Sequence, residues 1–117
     1  WKVKFGSTVV FDGLAVLLDS VAAHTDAGWQ LVIDLSCNLV GAAATLIGTG
    51  TWTCGDILGV PATAPKGVLS AILPWNSAPA SGTAFDATAT QQVDLTFTQT
   101  VATGSMTLQT YKLISDN

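Results

Sequence analysis

The sequence predicts an all-β chain folded as an antiparallel β-sandwich, and three observations predict it. Strong helix formers are scarce: Arg and Glu are absent, and Lys and Met together supply only five residues (four plus one). Thr, Val, Gly and Ser take their place, which suits strands and turns. Several runs also alternate apolar and polar residues with a period of two, the pattern of a strand with one face buried.

The elements follow in order. In Trp1-Lys-Val-Lys-Phe5, Trp1, Val3 and Phe5 share one face and both lysines the other, so the run reads as a half-buried strand. Gly6-Ser7 is a turn signal, Thr8 to Phe11 a second short strand, and Asp12-Gly13 another turn. Residues 14–28 read either as a short helix through Leu14-Ala-Val-Leu-Leu18 or as an irregular loop. The clearest strand comes next. Trp29, Leu31, Ile33, Leu35, Cys37 and Leu39 occupy one face, and Gln30, Asp34, Ser36 and Asn38 the other, with Val32 the apolar exception. Gly41-Ala42-Ala43 turns the chain into a second strand, Thr45 to Thr53, completing an antiparallel hairpin. Thr45, Thr49, Thr51 and Thr53 line one of its faces; Leu46, Gly48, Gly50 and Trp52 line the other. Glycines inside a strand let a bulky neighbour, here expected to be a tryptophan, lie across the backbone.

Residues 55–90 hold all four prolines and read as long loops around one strand, Gly67 to Leu73. Gln92 to Thr98 alternates strictly, with Val93, Leu95 and Phe97 inward. After a turn at Thr103-Gly104, Ser105 to Ile114 is the last strand. It carries a bulge, because Met106 and Leu108 fall out of phase with Tyr111 and Leu113. That makes about six strands in one domain, 1–117, with no tandem repeat and no dividing linker. The expected core anchors are Trp29, Leu31, Ile33, Leu35, Trp52, Val93, Leu95 and Phe97.

Charge limits the function classes. Only 10% of the 117 residues are charged and the net charge is −4, against roughly 25% charged in an average domain. Four lysines (Lys2, Lys4, Lys66 and Lys112) make no patch able to release counterions from nucleic acid, nor a polybasic membrane site. The longest apolar stretch, Leu14 to Ala23, is interrupted by Asp19 and Ser20 and falls short of the roughly 20 residues that span a bilayer. No signal peptide is read at Trp1, where a strand-like alternation begins. The absent initiating Met leads to the expectation that N-terminal strands lie outside this sequence.

No motif in the chain points to chemistry. His24 lacks a nucleophile and an orienting acid and reads as a surface-loop residue. Two cysteines and one histidine fall short of the four ligands of structural zinc. A turn near Ala42–Ala43 pairs residues whose numbers sum to about 85, setting Cys37 and Cys54 about six residues, or roughly 20 Å, apart. Free thiols are therefore expected, with Cys37 buried as a small hydrophobe. The eight aspartates are scattered singly, without a calcium-loop spacing, and Asp12 and Asp86 suit turns better. Paired-carboxylate sites, G-x-S-x-G, phosphate loops and dinucleotide fingerprints are missing. The reading is a non-enzyme without cofactor or metal. Trp1, Trp29 and Trp52 fall on inward phases. Trp75, between Pro74 and Asn76, either packs under its loop or stands exposed; with Tyr111 it is the candidate for an exposed binding or interface residue.

Several segments resemble a recurring family of bacteriophage virion jelly-roll proteins. They are Val3 to Val9, the Trp-led strand Trp29 to Leu35, Leu39 to Gly50, Phe85 to Phe97, and Gly104-Ser-Met-Thr-Leu with its final hydrophobic strand. The match runs through nearly the whole chain, on pieces made mostly of Gly, Thr and alternating apolar residues. The resemblance implies a jelly roll and a non-enzymatic protein on the virion surface: a capsid decoration or cement protein, a head spike or a tail-fibre tip. It implies capsid or tail subunits as partners and a homo-oligomer, a trimer by analogy. The alternative is a carbohydrate- or receptor-binding tip that uses Trp75 and Tyr111 as stacking platforms.

Overall fold

A computed structural model describes residues 1–16, 28–54, 70–99 and 105–115. The described residues are all-β, with six strands in two antiparallel three-stranded sheets and no helix. The strands are β1 (Lys2–Phe5), β2 (Thr8–Asp12), β3 (Trp29–Leu39), β4 (Thr45–Cys54), β5 (Ser70–Leu73) and β6 (Val93–Thr96). One sheet has the order β2-β1-β6, the other β3-β4-β5. His24 lies outside the described residues, as do the turn at 103–104 and most of the ambiguous stretch 14–28. Leu14 itself has a φ of 60°, which excludes a right-handed helix starting there.

The alternation expected for β1 holds: Val3 is buried, and Trp1 and Phe5 pack against the same core. On the other face Lys2 pairs in register with Asp12, and its ammonium lies 2.8 Å from that carboxylate. Partial burial pushes the Asp12 carboxyl up, but the Lys2 contact and the Leu14 N–H outweigh it and hold the group below its ordinary range. Both side chains are well exposed, so the pair contributes under about 1 kcal/mol. The β1–β2 register shifts by one between Val3 and Lys4, leaving Val10 as the extra residue. A bulge of this kind turns two consecutive side chains to one side, which is why Val10 and Phe11 are both buried.

The β3–β4 hairpin is as long as the alternation predicts, but its register sum is 83: Trp29 faces Cys54 and Cys37 faces Leu46. A bulge at Asn38 ends the regular pairing. All even positions of β4 from Leu46 to Cys54 are buried. Gly48 among them has the role expected, with a different partner, whereas Gly50 meets only Val32 and Ile33 of the adjacent β3. A Cβ on Gly48 would overlap the ring of Phe11 and come within 2.9 Å of Leu35 Cδ2. A phenylalanine from the opposite sheet, not a tryptophan, thus lies against the β4 backbone.

The two sheets share one core, built from Val3, Val10 and Phe11 on one side and Leu46, Trp52, Cys54, Ala71 and Leu73 on the other. Four aromatic contacts, in two groups, pack against it. Trp1 touches Trp29 (5.2 Å between ring centroids), Trp52 (6.0 Å, edge to face) and Phe97 (4.6 Å). Phe5 meets Phe85 edge to face at 4.8 Å. The chain from Ser81 to Phe85, read as part of a loop, runs beside β4 instead. It bridges Ile47 at Ser81 and Ala44 at Phe85, while Thr83 N–H donates to Val9 O of β2.

Ser105 to Ile114, expected as the last strand, forms none. Met106 packs on the core, but Leu108, Tyr111, Leu113 and Ile114 are 52–85% exposed. Among the described residues the segment pairs with no strand.

Gly48→Ala is expected to destabilise the fold by about 1–3 kcal/mol, because the Phe11 ring must shift within a packed core. Gly28→Ala, where a Cβ meets nothing within 4 Å, is expected to change stability far less. Urea unfolding of both variants checks this; equal effects would contradict the Phe11–Gly48 seat.

Candidate functional site

The chemistry-bearing side chains stand apart. Among the described residues no three His, Cys, Asp or Glu side chains converge to hold a metal. Asp12 and Asp86 both serve turns: Asp12 accepts the Leu14 N–H at 3.0 Å, and Asp86 accepts from the Thr88 N–H and hydroxyl at 2.9 and 2.6 Å. The two Thr88 bonds hold the Asp86 carboxyl below its ordinary range.

Both cysteines are free thiols. The burial expected of Cys37 is not found there. Cys54 is buried, 1% exposed, at the inward end of β4, and burial pushes its thiol up. Cys37 is exposed, because β3 runs past the covered part of the core: its inward residues are half-buried only as far as Leu35. The offset between the cysteines is also longer than expected. Cys37 faces Leu46, eight residues before Cys54, or roughly 26 Å along the strand.

Of the expected core anchors, Trp52 is buried, and Trp29, Leu31, Ile33 and Leu35 are half-buried against the core. Phe97 lies beyond the end of β6 and stacks on Trp1. Val93 and Leu95 are corrections, 43% and 44% exposed. Their phase is as read, since they pair with Phe5 and Val3. β6, however, is an edge strand beyond the reach of the other sheet, so its inward face stays uncovered.

Trp75 follows a cis Leu73–Pro74 bond and is half-buried against the core, its backbone N–H donating to Gly13 O at 3.0 Å. It lines an open hollow of about 320 Å³ with Ser70, Ile72, Pro74, Asn76 and Ser77. That is the low end for a ligand pocket, and it does not enclose a ligand as such pockets do. Tyr111 is 85% exposed on the unpaired C-terminal segment. No contact joins it to Trp75, so the two make no shared platform.

The strongest candidate surface is the outer face of β3-β4-β5 together with the edge of β3. Register places Val32, Thr51 and Ile72 in one row across the sheet, and Gln30, Thr53 and Ser70 in the next. Val32 is 46% and Ile72 75% exposed. Thr53 and Ser70 share a hydroxyl hydrogen bond of 3.1 Å, and Asp34 is the only charge on this face. β3 pairs with β4 alone; among the described residues its other edge has no strand beside it. Sequence reasoning identified the outward Thr, Gln and Asn side chains but missed the open edge, which is a property of sheet order.

Among the described residues no helix is long and apolar enough to cross a membrane, a statement that does not bear on strands. No family model, no curated protein and no solved structure matches this chain.

Native protein is expected to react with a thiol reagent at one cysteine, Cys37, and at both in denaturant. Loss of the native reaction in Cys37→Ser is the check; fast labelling of two thiols in folded wild type would contradict the buried place of Cys54.

Proposed function

We propose that this protein is a non-enzymatic structural component of a bacteriophage particle, of jelly-roll type, that decorates or cements a capsid or forms a head spike. It packs on neighbouring virion subunits and on further copies of itself, with a trimer as the closed arrangement.

The observation that carries this reading is an uncharged, partly apolar exterior on strands with open edges. Val32, Ile72, Val93 and Leu95 stand exposed on sheet faces, and Leu108, Tyr111, Leu113 and Ile114 on an unpaired segment. Average soluble domains carry about 25% charged residues over the whole chain, and natural sheets protect their edges with charge. This chain has 10% charge in total. Such a surface suits contacts with other subunits, where charge is depleted from the buried centre. The shared core of two antiparallel sheets supports a sandwich, and the resemblance of the strand segments to phage virion jelly rolls supplies the particle.

The second reading, a glycan- or receptor-binding tip, is favoured by one feature, the 85% exposure of Tyr111. It is weakened by the half-buried position of Trp75.

Quantitative mass spectrometry of purified particles tests the proposal. Hundreds of copies on the capsid shell are expected for a decoration or cement protein, and a few copies on the head for a spike. Absence from the particle would overturn the reading, and a few copies at a tail tip, with glycan binding lost on Tyr111→Ala, would favour the second one.

A further inference from the structure

Two unpaired features of the chain match each other. One is the open edge of β3, eleven residues long. The other is the segment from Ser105 to Ser115, also eleven residues, extended in sequence pattern and without a ladder. An edge strand is a template for a further strand, and an unpaired apolar segment is what such an edge accepts.

Charge supplies the register. Asp34 is the only charge on β3 and Lys112 the only charge on 105–115. Both are exposed, and neither has an ion-pair partner among the described residues. Placing Lys112 across from Asp34 in an antiparallel pair fixes every other neighbour. Tyr111 falls beside Leu35 and Leu113 beside Ile33, on the half-buried face where both apolar side chains gain cover. Ile114 falls beside Val32, on the outer face, extending the exposed row Val32–Thr51–Ile72 by one apolar member. A one-residue slip moves Lys112 onto the half-buried face beside Ile33 or Leu35 and turns Tyr111 and Leu113 outward. A two-residue slip keeps the faces but loses the opposite-charge pair.

We propose that residues 107–115 of one copy add to the open edge of β3 in a second copy as an antiparallel strand, with Lys112 opposite Asp34. This deepens the self-association part of the reading above and rests on it. The geometry makes the occupant a second copy: the segment is not on the β3 edge of its own chain, and the matching charge lies on this same sequence.

The register also sets Gln109 opposite Cys37, an exposed free thiol. Facing residues of an antiparallel pair have Cα atoms about 4.5–5.5 Å apart, within disulfide range. Full-length Gln109→Cys, mildly oxidised, is therefore expected to give covalent dimers on a non-reducing gel. Wild type and Leu108→Cys, whose thiol falls on the other face, run alongside and are expected to give ~10-fold less. Lys112→Asp is expected to weaken association by a factor of about 5, and the exchange Asp34→Lys with Lys112→Asp to restore it. Dimer yield equal to the controls, in protein that light scattering shows to be oligomeric, would overturn the proposal and leave the wider reading standing. A disulfide from Cys37 to the introduced thiol within one chain would overturn the second copy as occupant. A monomer at every concentration would overturn the proposal and self-association together.

Discussion

The fold depends on how closely β2 approaches β4. Phe11 reaches the opposite sheet because Gly48 has no side chain, and Val10 is turned inward with it by the bulge opposite Val3 and Lys4. Beside this seat, Gly82 carries the Ser81–Phe85 segment so close to Val10 that a Cβ there would overlap the Val10 carbonyl. That segment occupies the flank of β4 ahead of β5, so β4 is hydrogen-bonded on both sides along most of its length. The inward side chains of β4 are consumed by the core and its edges by β3, β5 and the bridge. β3 is left at the margin of its sheet, paired on one side only.

Much of this was legible in the sequence, for a physical reason: period-two alternation reports which face a strand buries. It located β1, β2, β3, β4 and β6 and set the inward phases of Trp29, Trp52 and Phe97. What it does not report is whether anything lies opposite that face. Val93 and Leu95 have the right phase but belong to an edge strand, and Cys37 lies where β3 outruns its cover. Cys54 is buried because it lies at an end of β4 that is covered. Ser105 to Ile114 has a strand-forming sequence yet pairs with no strand of its own chain among the described residues, because alternation does not report which edge a segment meets. The Ser81–Phe85 bridge had only a single signal, the apolar Phe85 in a polar stretch, and the seat on Gly48 was read correctly as a close approach but assigned to the wrong aromatic.

The same distinction shapes the functional reading. Scarce charge argues against nucleic-acid and polybasic membrane partners, yet by itself names no partner. The sheet order adds that the uncovered surfaces are strand edges and apolar sheet faces, which favour broad contacts with other chains over a ligand cleft. The hollow beside Trp75 is open and shallow, and Asp12 and Asp86 are engaged in turns. The proposed structural role on a multi-subunit particle accounts for these features together, and the strand-addition proposal gives the unpaired C-terminal segment a place in that interface.

The central claim is that the open β3 edge is where this protein meets its neighbour. Hydrogen–deuterium exchange, compared between dilute protein and the associated state, tests it most directly, because a backbone amide gains protection only where a hydrogen-bonding partner arrives. The account predicts that peptides covering 29–39 and 105–115 gain protection together on association. Unchanged exchange in both, with new protection confined to Ser70–Leu73 or Val93–Thr96, would contradict it.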